Sequence, residues 1–377
     1  MKKMELSEFK DRLGEGKMTR RQVNKVLASV GIATIATPIM SRAAKAANDL
    51  LVFTWSGYDV PELHGDYIDS YGTSPNFGLF ADNDEAIHKV SAGYKPDIVV
   101  PTSFMTGRWY DSGLLVPVDT SRLEEWDNLF PELANMEGTV IDGQHFQVPW
   151  AWGNSSVLFR ADLAPEYSGL ENHSWTILWD EEYKGRISQR DSMDAAVLQA
   201  ALILGIPDMF NMSDADLGRV REKLVEQLPL IRYFWNSQSD AEQSLASGEI
   251  VATYAWNSSY ASLKREGYDV EYMVPKEGLL TWLDSQVILK DGAGSDKERY
   301  DYLNATLTPE AGKFMIEDYG YGSANTRAFE IANQDTLEVF GYSDPSNLIR
   351  NSIMFSAFAP KLRDKANLMF EEIKAGF

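Results

Sequence analysis

The sequence predicts an α/β fold in which helices flank a mostly parallel sheet. Apolar segments of strand length alternate along the chain with segments of helical length. The chain has 377 residues, enough for two domains at roughly 100–200 residues each. Its composition, 44% hydrophobic and 24% charged, is that of a globular protein rather than a disordered or fibrous one.

The alternation is clearest in the first part of the chain. The predicted strands are residues 50–55, 76–80 and 96–101, and the helices between them are 61–71 and one that starts at 82–85. Ligands bind beyond the carboxyl ends of the strands in sheets of this kind. Residues 55–58 and 102–104 lie there, so we expect them to face a ligand.

The same pattern continues to the C-terminus. Residues 145–150 lead into a strand at 156–159 through glycine and serines, which suits a crossing between lobes. The later predicted segments are strands at 186–188, 250–255 and 281–289, and helices at 193–204, 240–246, 309–319 and 359–373. The sequence therefore predicts an α/β architecture over its whole length.

The first 46 residues are predicted to be a secretory signal peptide. Arg20 and Arg21 precede an uncharged run from Val26 to Met40, and small residues suit cleavage after Ala46. The run is shorter than the roughly 20 residues that a membrane span requires. The arginine pair indicates the twin-arginine type of export, and no Cys follows for a lipid anchor. We therefore expect a periplasmic protein.

The chain is strongly acidic, with 35 Lys and Arg against 56 Asp and Glu and a net charge of −21. Such a surface repels phosphate, so nucleic acid is not an expected partner. The charge suits a cationic ligand, although acidic surfaces also serve solubility. The sequence has no Cys, which excludes disulfides, thiolate metal sites and cysteine nucleophiles.

Sequence signatures of catalysis are missing. The histidines His64, His88, His145 and His173 are isolated and lack the spacing of metal ligands. The chain contains neither a phosphate-binding glycine loop nor a Gly-x-Ser-x-Gly nucleophile elbow. We expect no metal, no cofactor and no enzymatic activity. An exported glycoside hydrolase remains an alternative, because carboxylate pairs are abundant.

Aromatic residues beside polar or acidic ones recur at predicted strand ends. The three sites are Trp55-Ser56-Gly57-Tyr58, Tyr254-Ala255-Trp256-Asn257 and Trp282-Leu283-Asp284-Ser285. Trp282 and Asp284 are two residues apart in a strand and so face the same side. A Trp face and a carboxylate on one wall attract an organic cation. Each site alone is also compatible with a position in the hydrophobic core. The prediction of a cation-binding site therefore depends on all three lying at or near predicted strand ends.

With these residues the chain resembles the periplasmic polyamine-binding proteins of ABC importers, the spermidine/putrescine type of extracellular solute-binding protein. The resemblance covers the chain from about Val52 to Phe377. Its most specific part is Pro275-Lys276-Glu277-Gly278 running into Trp282-Leu283-Asp284. The other landmarks are Phe53 to Tyr58, Pro96 to Thr102, Val148 to Gly153, and Tyr319-Gly320-Tyr321 with Asn325.

The resemblance implies a two-lobed periplasmic-binding-protein fold of type II, in which each lobe is a mixed, mostly parallel sheet flanked by helices and hinge crossovers join the lobes. Lobe 1 is expected to be residues 47–152 plus 281–330, and lobe 2 residues 153–280 plus 331–377. The lobes would close around a polyamine such as putrescine or spermidine and present it to the permease subunits of an ABC transporter. By family habit the protein is expected to be a monomer.

The resemblance also implies the ligand-binding residues. Aromatic rings would pack on the ligand's methylenes, hydroxyls would give polar contacts, and acids would hold its ammonium groups. The set is Trp55, Ser56, Tyr58, Thr102, Phe104, Asp191, Asp194, Trp256, Trp282, Asp284 and Tyr321. Asp284 would hold one ammonium with Tyr321 nearby, and Asp191 or Asp194 would hold the other.

Two positions depart from the family's pattern. Gly57 stands where members often carry an acid, and Phe104 where an aromatic hydroxyl is often present. Both changes remove a polar contact, so a quaternary ammonium compound, which binds through aromatic cages, is an alternative ligand. A basic amino-acid derivative is another, and a sensor rather than an importer is a third alternative.

Overall fold

A computed structural model of the protein describes residues 49–136 and 138–376. The strands are β1 (Leu51–Trp55), β2 (Asn76–Phe80), β3 (Ile98–Val99), β4 (Leu115–Val116), β5 (Val140–Ile141), β6 (Gln144–His145), β7 (Val148–Arg160), β8 (Ile187–Arg190), β9 (Ile231–Trp235), β10 (Ala252–Trp256), β11 (Val270–Tyr272), β12 (Leu280–Leu289), β13 (Gly322–Ser323) and β14 (Ile353–Met354). The predicted signal peptide, residues 1–46, lies outside the described residues and stays a prediction.

Helices connect most of these strands. They are α1 (Gly65–Tyr71), α2 (Asn83–Ser91), α3 (Thr106–Asp111), α4 (Pro131–Ala134), α5 (Met193–Ile203), α6 (Asp214–Gln227), α7 (Gln238–Ala246), α8 (Asn257–Arg265), α9 (Asp296–Leu307), α10 (Pro309–Tyr319), α11 (Arg327–Ile331), α12 (Gln334–Val339), α13 (Pro345–Asn351) and α14 (Pro360–Lys374). Asp82 caps α2 by accepting hydrogen bonds from the backbone N–H groups of Asp84 and Glu85. The predicted helix start at 82–85 is thus confirmed.

Within the described residues, twelve strands form one sheet whose main path is β2-β1-β3-β12-β7-β10-β8-β9. Both ends of this path are parallel: β1 pairs in parallel with β2 and β3, and β8 pairs in parallel with β9 and β10. Between the parallel halves, the long strands β12 and β7 run antiparallel to each other and to their outer neighbours β3 and β10. Side chains on β12 and β7 therefore lie between the two halves of the sheet.

The glycine and serines before the segment 156–159 lie inside one long strand, which runs between the two halves of the sheet. The small and polar residues between the segments 145–150 and 156–159 do not break the strand, because β7 continues from Val148 to Arg160. These residues pair with β12 instead, and Gly153 lies opposite Trp282. A Cβ atom at Gly153 would overlap the Trp282 indole, so the glycine is required by a bulky partner rather than by a turn.

The hydrophobic core is divided between the two halves of the sheet. One large cluster surrounds Val157 and includes residues of α5, α6 and α14. Another surrounds Val52 and Trp152 and includes residues of α9 and α10. Leu337 and Tyr342 pack in the cluster of Trp152, although they belong to the segment expected in lobe 2. The exact lobe boundaries stay a prediction.

No helix among the described residues combines the length and the apolar character needed to span a membrane.

Candidate functional site

The carboxylate of Asp284 is the centre of the candidate site. Asp284 lies on β12 at a point where the register with β7 shifts, and its residue is only 6% exposed. Two hydroxyl groups donate to the carboxylate, Thr102 Oγ1 at 3.0 Å and Tyr58 OH at 3.1 Å. Each carboxylate oxygen thus has one fixed donor and retains a lone pair for a further donor.

The carboxyl ends of two parallel strands supply these hydroxyls. Tyr58 follows β1, and its backbone N–H closes a turn on Trp55 O at 3.2 Å. Gly57 inside this turn has a φ of 97°, a conformation that favours glycine. Any residue with a side chain, an acid included, would therefore be strained in this turn. Thr102 follows β3 and forms an isolated backbone bridge with Asp284.

Asn83 fixes the Thr102 side chain and was missed by the sequence analysis. Its side-chain amide donates to Thr102 Oγ1 at 3.2 Å, and its carbonyl oxygen accepts from Thr102 N at 3.1 Å. The Thr102 hydroxyl is therefore held with its proton directed at Asp284. The helix-start pattern at 82–85 placed Asn83 correctly, but it gave no sign of this contact.

Burial destabilises the charged form of Asp284. It raises the pKa of Asp284 to about 7, although the hydrogen bonds from Thr102 and Tyr58 and the charge of Arg190 lower it. Burial and the nearby Asp284 also raise the pKa of Tyr58 well above its ordinary value, so Tyr58 stays a hydrogen-bond donor. A buried carboxylate of this kind is stabilised by a ligand that brings a positive charge.

Trp282 and Tyr321 form an aromatic corner beside Asp284. Their ring centroids are 4.8 Å apart and the ring planes are perpendicular at 90°. The Tyr321 hydroxyl shares a hydrogen bond of 2.7 Å with Ser258, which also accepts from Gln238 at 2.9 Å. The Trp282 indole N–H is buried and has no hydrogen-bond partner in the described part of the chain. This corner offers an apolar wall next to the carboxylate.

Trp256 lies at the carboxyl end of β10, in the other half of the sheet from β1 and β3. It packs against both large hydrophobic clusters and is half-buried. The guanidinium carbon of Arg190 lies 4.7 Å from the centroid of the Trp256 ring. Trp256 therefore already carries a cation of the protein on its ring, a feature that the sequence analysis did not anticipate.

Trp55 and Ser56 form no hydrogen bond with the Asp284 carboxylate in the described part of the chain. The Trp55 ring packs against Phe80 with centroids 4.6 Å apart, and its buried indole N–H has no hydrogen-bond partner among residues 49–136 and 138–376. Ser56 is exposed at the tip of the turn after β1. Neither residue touches Asp284 through a hydrogen bond.

The remaining expected residues, Phe104, Asp191 and Asp194, line a cavity of about 580 Å³ whose wall also includes Asn83. Phe104 lies on one wall and stacks on Phe355, with centroids 6.2 Å apart. Asp191 accepts an ion pair of 2.6 Å from Lys374, so its carboxylate already has a cation. Burial raises the pKa of Asp194 to about 6, while the charge of Arg190 lowers it.

The structure thus divides the expected residues into two groups. Tyr58, Thr102 and Asp284 form a hydrogen-bonded cluster, with Trp282 and Tyr321 beside it. The other group lies outside this cluster: Phe104, Asp191 and Asp194 line the cavity, while the cavity lining does not include Trp55, Ser56 or Trp256. In the described residues no group of His, Cys, Asp or Glu side chains has an arrangement suited to a metal ion.

Known proteins resemble this chain over most of its length. A family model described as bacterial extracellular solute-binding protein matches residues 82–338. The putrescine-binding periplasmic protein PotF of Escherichia coli is 25% identical over 342 residues, which cover 87% of this chain and 91% of PotF. The putrescine/agmatine-binding protein of Pseudomonas aeruginosa is 26% identical over 321 residues, covering 81% of this chain and 86% of that protein.

A solved structure supports the same fold. The spermidine/putrescine ABC transporter substrate-binding protein PotD of Streptococcus pneumoniae superposes with a TM-score of 0.72 at 23% identity. The match covers 87% of this chain and 99% of that one. The predicted two-lobed fold with mixed, mostly parallel sheets is therefore confirmed.

Proposed function

Since the chain belongs to the bacterial extracellular solute-binding proteins, we propose that it is a periplasmic receptor that captures a small aliphatic amine and delivers it to an ABC-type importer. Polyamines are the first ligands to consider, because the names of its relatives specify putrescine, agmatine or spermidine. Members of the family are substrate-binding proteins of transporters and not enzymes, so the alternative of an exported hydrolase is excluded.

The buried carboxylate of Asp284 is the observation that carries this proposal. Its two oxygens are oriented by Thr102 and Tyr58, and among the described residues no Lys or Arg forms an ion pair with it. A primary ammonium carries three donors and one positive charge, which match the lone pairs and charge of this group. The Trp282 ring beside it suits the first methylenes of an alkyl chain.

We propose that the two halves of the sheet act as lobes that close on the ligand. Two contacts between the halves support this. Arg363 on α14 pairs with Asp84 on α2 at 3.5 Å, and Phe104 stacks on Phe355. Such contacts form when lobes approach each other, and hinge closure around a ligand is a general motion of two-lobed binding proteins. The closed form would be recognised by the permease.

A thermal-shift panel tests the proposed function. Purified protein is heated with putrescine, cadaverine, spermidine, agmatine, choline, glycine betaine or arginine. A ligand at about 100 times its Kd adds about 2.7 kcal/mol to the free energy of unfolding, which raises Tm measurably. We expect a shift with at least one primary amine. A shift with quaternary ammonium compounds alone would mean that the ligand is bound by an aromatic cage rather than as a primary ammonium. No shift with any compound would contradict the proposal.

A further inference from the structure

Arg190 is a cation near Asp284 and Asp194 that the amine receptor described above does not use. It is the last residue of β8, the parallel neighbour of β10, and is half-buried. Its guanidinium lies over the Trp256 ring at the carboxyl end of β10, 4.7 Å from the ring centroid. Both side chains thus stand at the strand ends where ligands bind in parallel sheets.

The guanidinium of Arg190 has no carboxylate partner among the described ion pairs. The other basic residues around the cleft do: Arg108 and Arg363 pair with Asp84, and Lys374 pairs with Asp191. The polar neighbour of Arg190 is the buried, neutral hydroxyl of Tyr254. Arginine carries five N–H donors in a planar fork, more than the single Tyr254 hydroxyl can accept.

The position of Arg190 disfavours a ligand with a cation at both ends. Its charge acts on both acids of the cleft and lowers the pKa of Asp284 and of Asp194. When both acids are ionised, the two carboxylates and the guanidinium together carry one net negative charge, whereas a diamine brings two positive charges. A second ammonium that reached Asp194 would also lie beside a fixed positive charge.

We propose that the ligand is an ω-amino acid, whose ammonium binds Asp284 and whose carboxylate binds the guanidinium of Arg190. The proposal rests on the ammonium end of the proposed function and adds the identity of the other end. The guanidinium lies over the Trp256 ring, and a carboxylate can match its fork with two parallel hydrogen bonds.

Titration calorimetry of the whole protein tests this with ligands that differ only at one end. The probes are putrescine, 1-butylamine and ω-amino acids of three to six carbons, including 4-aminobutyrate. We expect the best ω-amino acid to bind at least about tenfold more tightly than putrescine and butylamine. One additional charge-assisted hydrogen bond accounts for a difference of this size. Putrescine or butylamine binding as tightly as every ω-amino acid would overturn the proposal.

Substitutions at Arg190 give the second arm. Arg190→Met keeps the length of the side chain and should weaken ω-amino acid binding by about 10- to 100-fold while leaving or improving putrescine binding. Arg190→Lys keeps the charge without the fork and should have a smaller effect. Arg219→Met on α6, an exposed arginine paired with Asp216, is the matched control. If the ratio of ω-amino acid affinity to putrescine affinity is the same in Arg190→Met as in wild type, the proposal is overturned.

The results separate this inference from the proposed function. If putrescine binds and its binding depends on Asp284 but not on Arg190, the inference fails and the amine receptor remains. If the binding of 4-aminobutyrate depends on Arg190 but not on Asp284, then Asp284 is not the ammonium site. In that case both the proposed function's ammonium site and the proposed binding mode of the ω-amino acid are wrong. A folded Arg190→Met protein is recognised by an unchanged circular dichroism spectrum and Tm.

Discussion

The Tyr58 hydroxyl donates a hydrogen bond of 3.1 Å to the carboxylate of Asp284, 226 residues further along the chain. It ties the turn after the first strand to the long strand that lies between the two halves of the sheet. Thr102 makes an equivalent bond of 3.0 Å from the end of β3. Two strand ends therefore orient one carboxylate, and we propose that a ligand ammonium binds to it.

The stability of the unliganded protein should depend on the charge of Asp284. The pKa of Asp284 is about 7 in the folded protein, above the value of about 4 expected in the unfolded chain. Between these values the folded state binds more protons than the unfolded state, so the free energy of unfolding should fall as pH rises from about 4 to about 7. Asp194, with a pKa of about 6, adds to this fall.

Asp284→Asn removes this penalty. We expect the unliganded variant to be more stable than wild type at pH 8 by about 1–3 kcal/mol, because no charge is buried. At pH 4 the two proteins should differ little. Denaturant unfolding at both pH values measures the difference, with Asp214→Asn on the exposed start of α6 as the control. A variant that is less stable than wild type at pH 8 would contradict the assignment of a buried, unpaired carboxylate.

Ligand affinity should rise with pH up to about 7. An ammonium binds the ionised form of Asp284, and below a pKa of about 7 most of the protein carries the protonated form. Each pH unit below that value should therefore weaken binding by about tenfold. Titrations at pH 5, 6, 7 and 8 in buffers of different ionisation enthalpy would show this trend and the release of a proton. Affinity that is constant over this range would disagree with it.

Gly153→Ala should impair binding although it substitutes no residue that we propose to touch the ligand. A Cβ atom there would overlap the Trp282 indole and lie 2.8 Å from Asn257 Oδ1. Trp282 must then move, and we expect at least about a tenfold loss of affinity and a Tm lowered by the strain. Gly218→Ala on the exposed side of α6, with nothing within 4 Å of its Cβ, should leave both unchanged or raise Tm. Similar behaviour of the two variants would argue against a role for Trp282.

Asp191→Asn should leave ligand affinity within about twofold of wild type. Its carboxylate is already paired with Lys374 on α14, so a ligand ammonium would have to displace that lysine. Partly exposed ion pairs contribute little, so Tm should also change little. Calorimetry with the best ligand of the panel checks this. A large loss of affinity would place Asp191, rather than the Asp284 cluster alone, in contact with the ligand.

Local sequence patterns predicted the elements around the site well. Strand periodicity alone indicates that Trp282 and Asp284 share a face, and apolar runs followed by polar turns indicate where β1 and β3 end. These features depend on residues a few positions apart. The continuation of β7 through Gly153 was not predictable in this way, because the glycine is explained by Trp282 on the neighbouring strand.

Several contacts around the candidate site are long-range and escaped the sequence analysis. Asn83 orients Thr102 from a different element, and Arg190 reaches Trp256 from the adjacent strand. Nothing local distinguishes Arg190 from an ordinary surface arginine. The pairing of Asp191 with Lys374 also depends on the packing of the last helix, so sequence alone left both Asp191 and Asp194 as candidates.

The central claim is that Asp284 holds the ammonium group of a small aliphatic amine. Titration calorimetry of wild type and Asp284→Asn with the amine that gives the largest thermal shift tests it most directly. The asparagine keeps the shape and removes the charge, and its single carbonyl oxygen can accept from only one of Tyr58 and Thr102. We predict at least about a tenfold weaker affinity, because the charge-assisted contacts are lost. Equal affinity in the two proteins would contradict the claim.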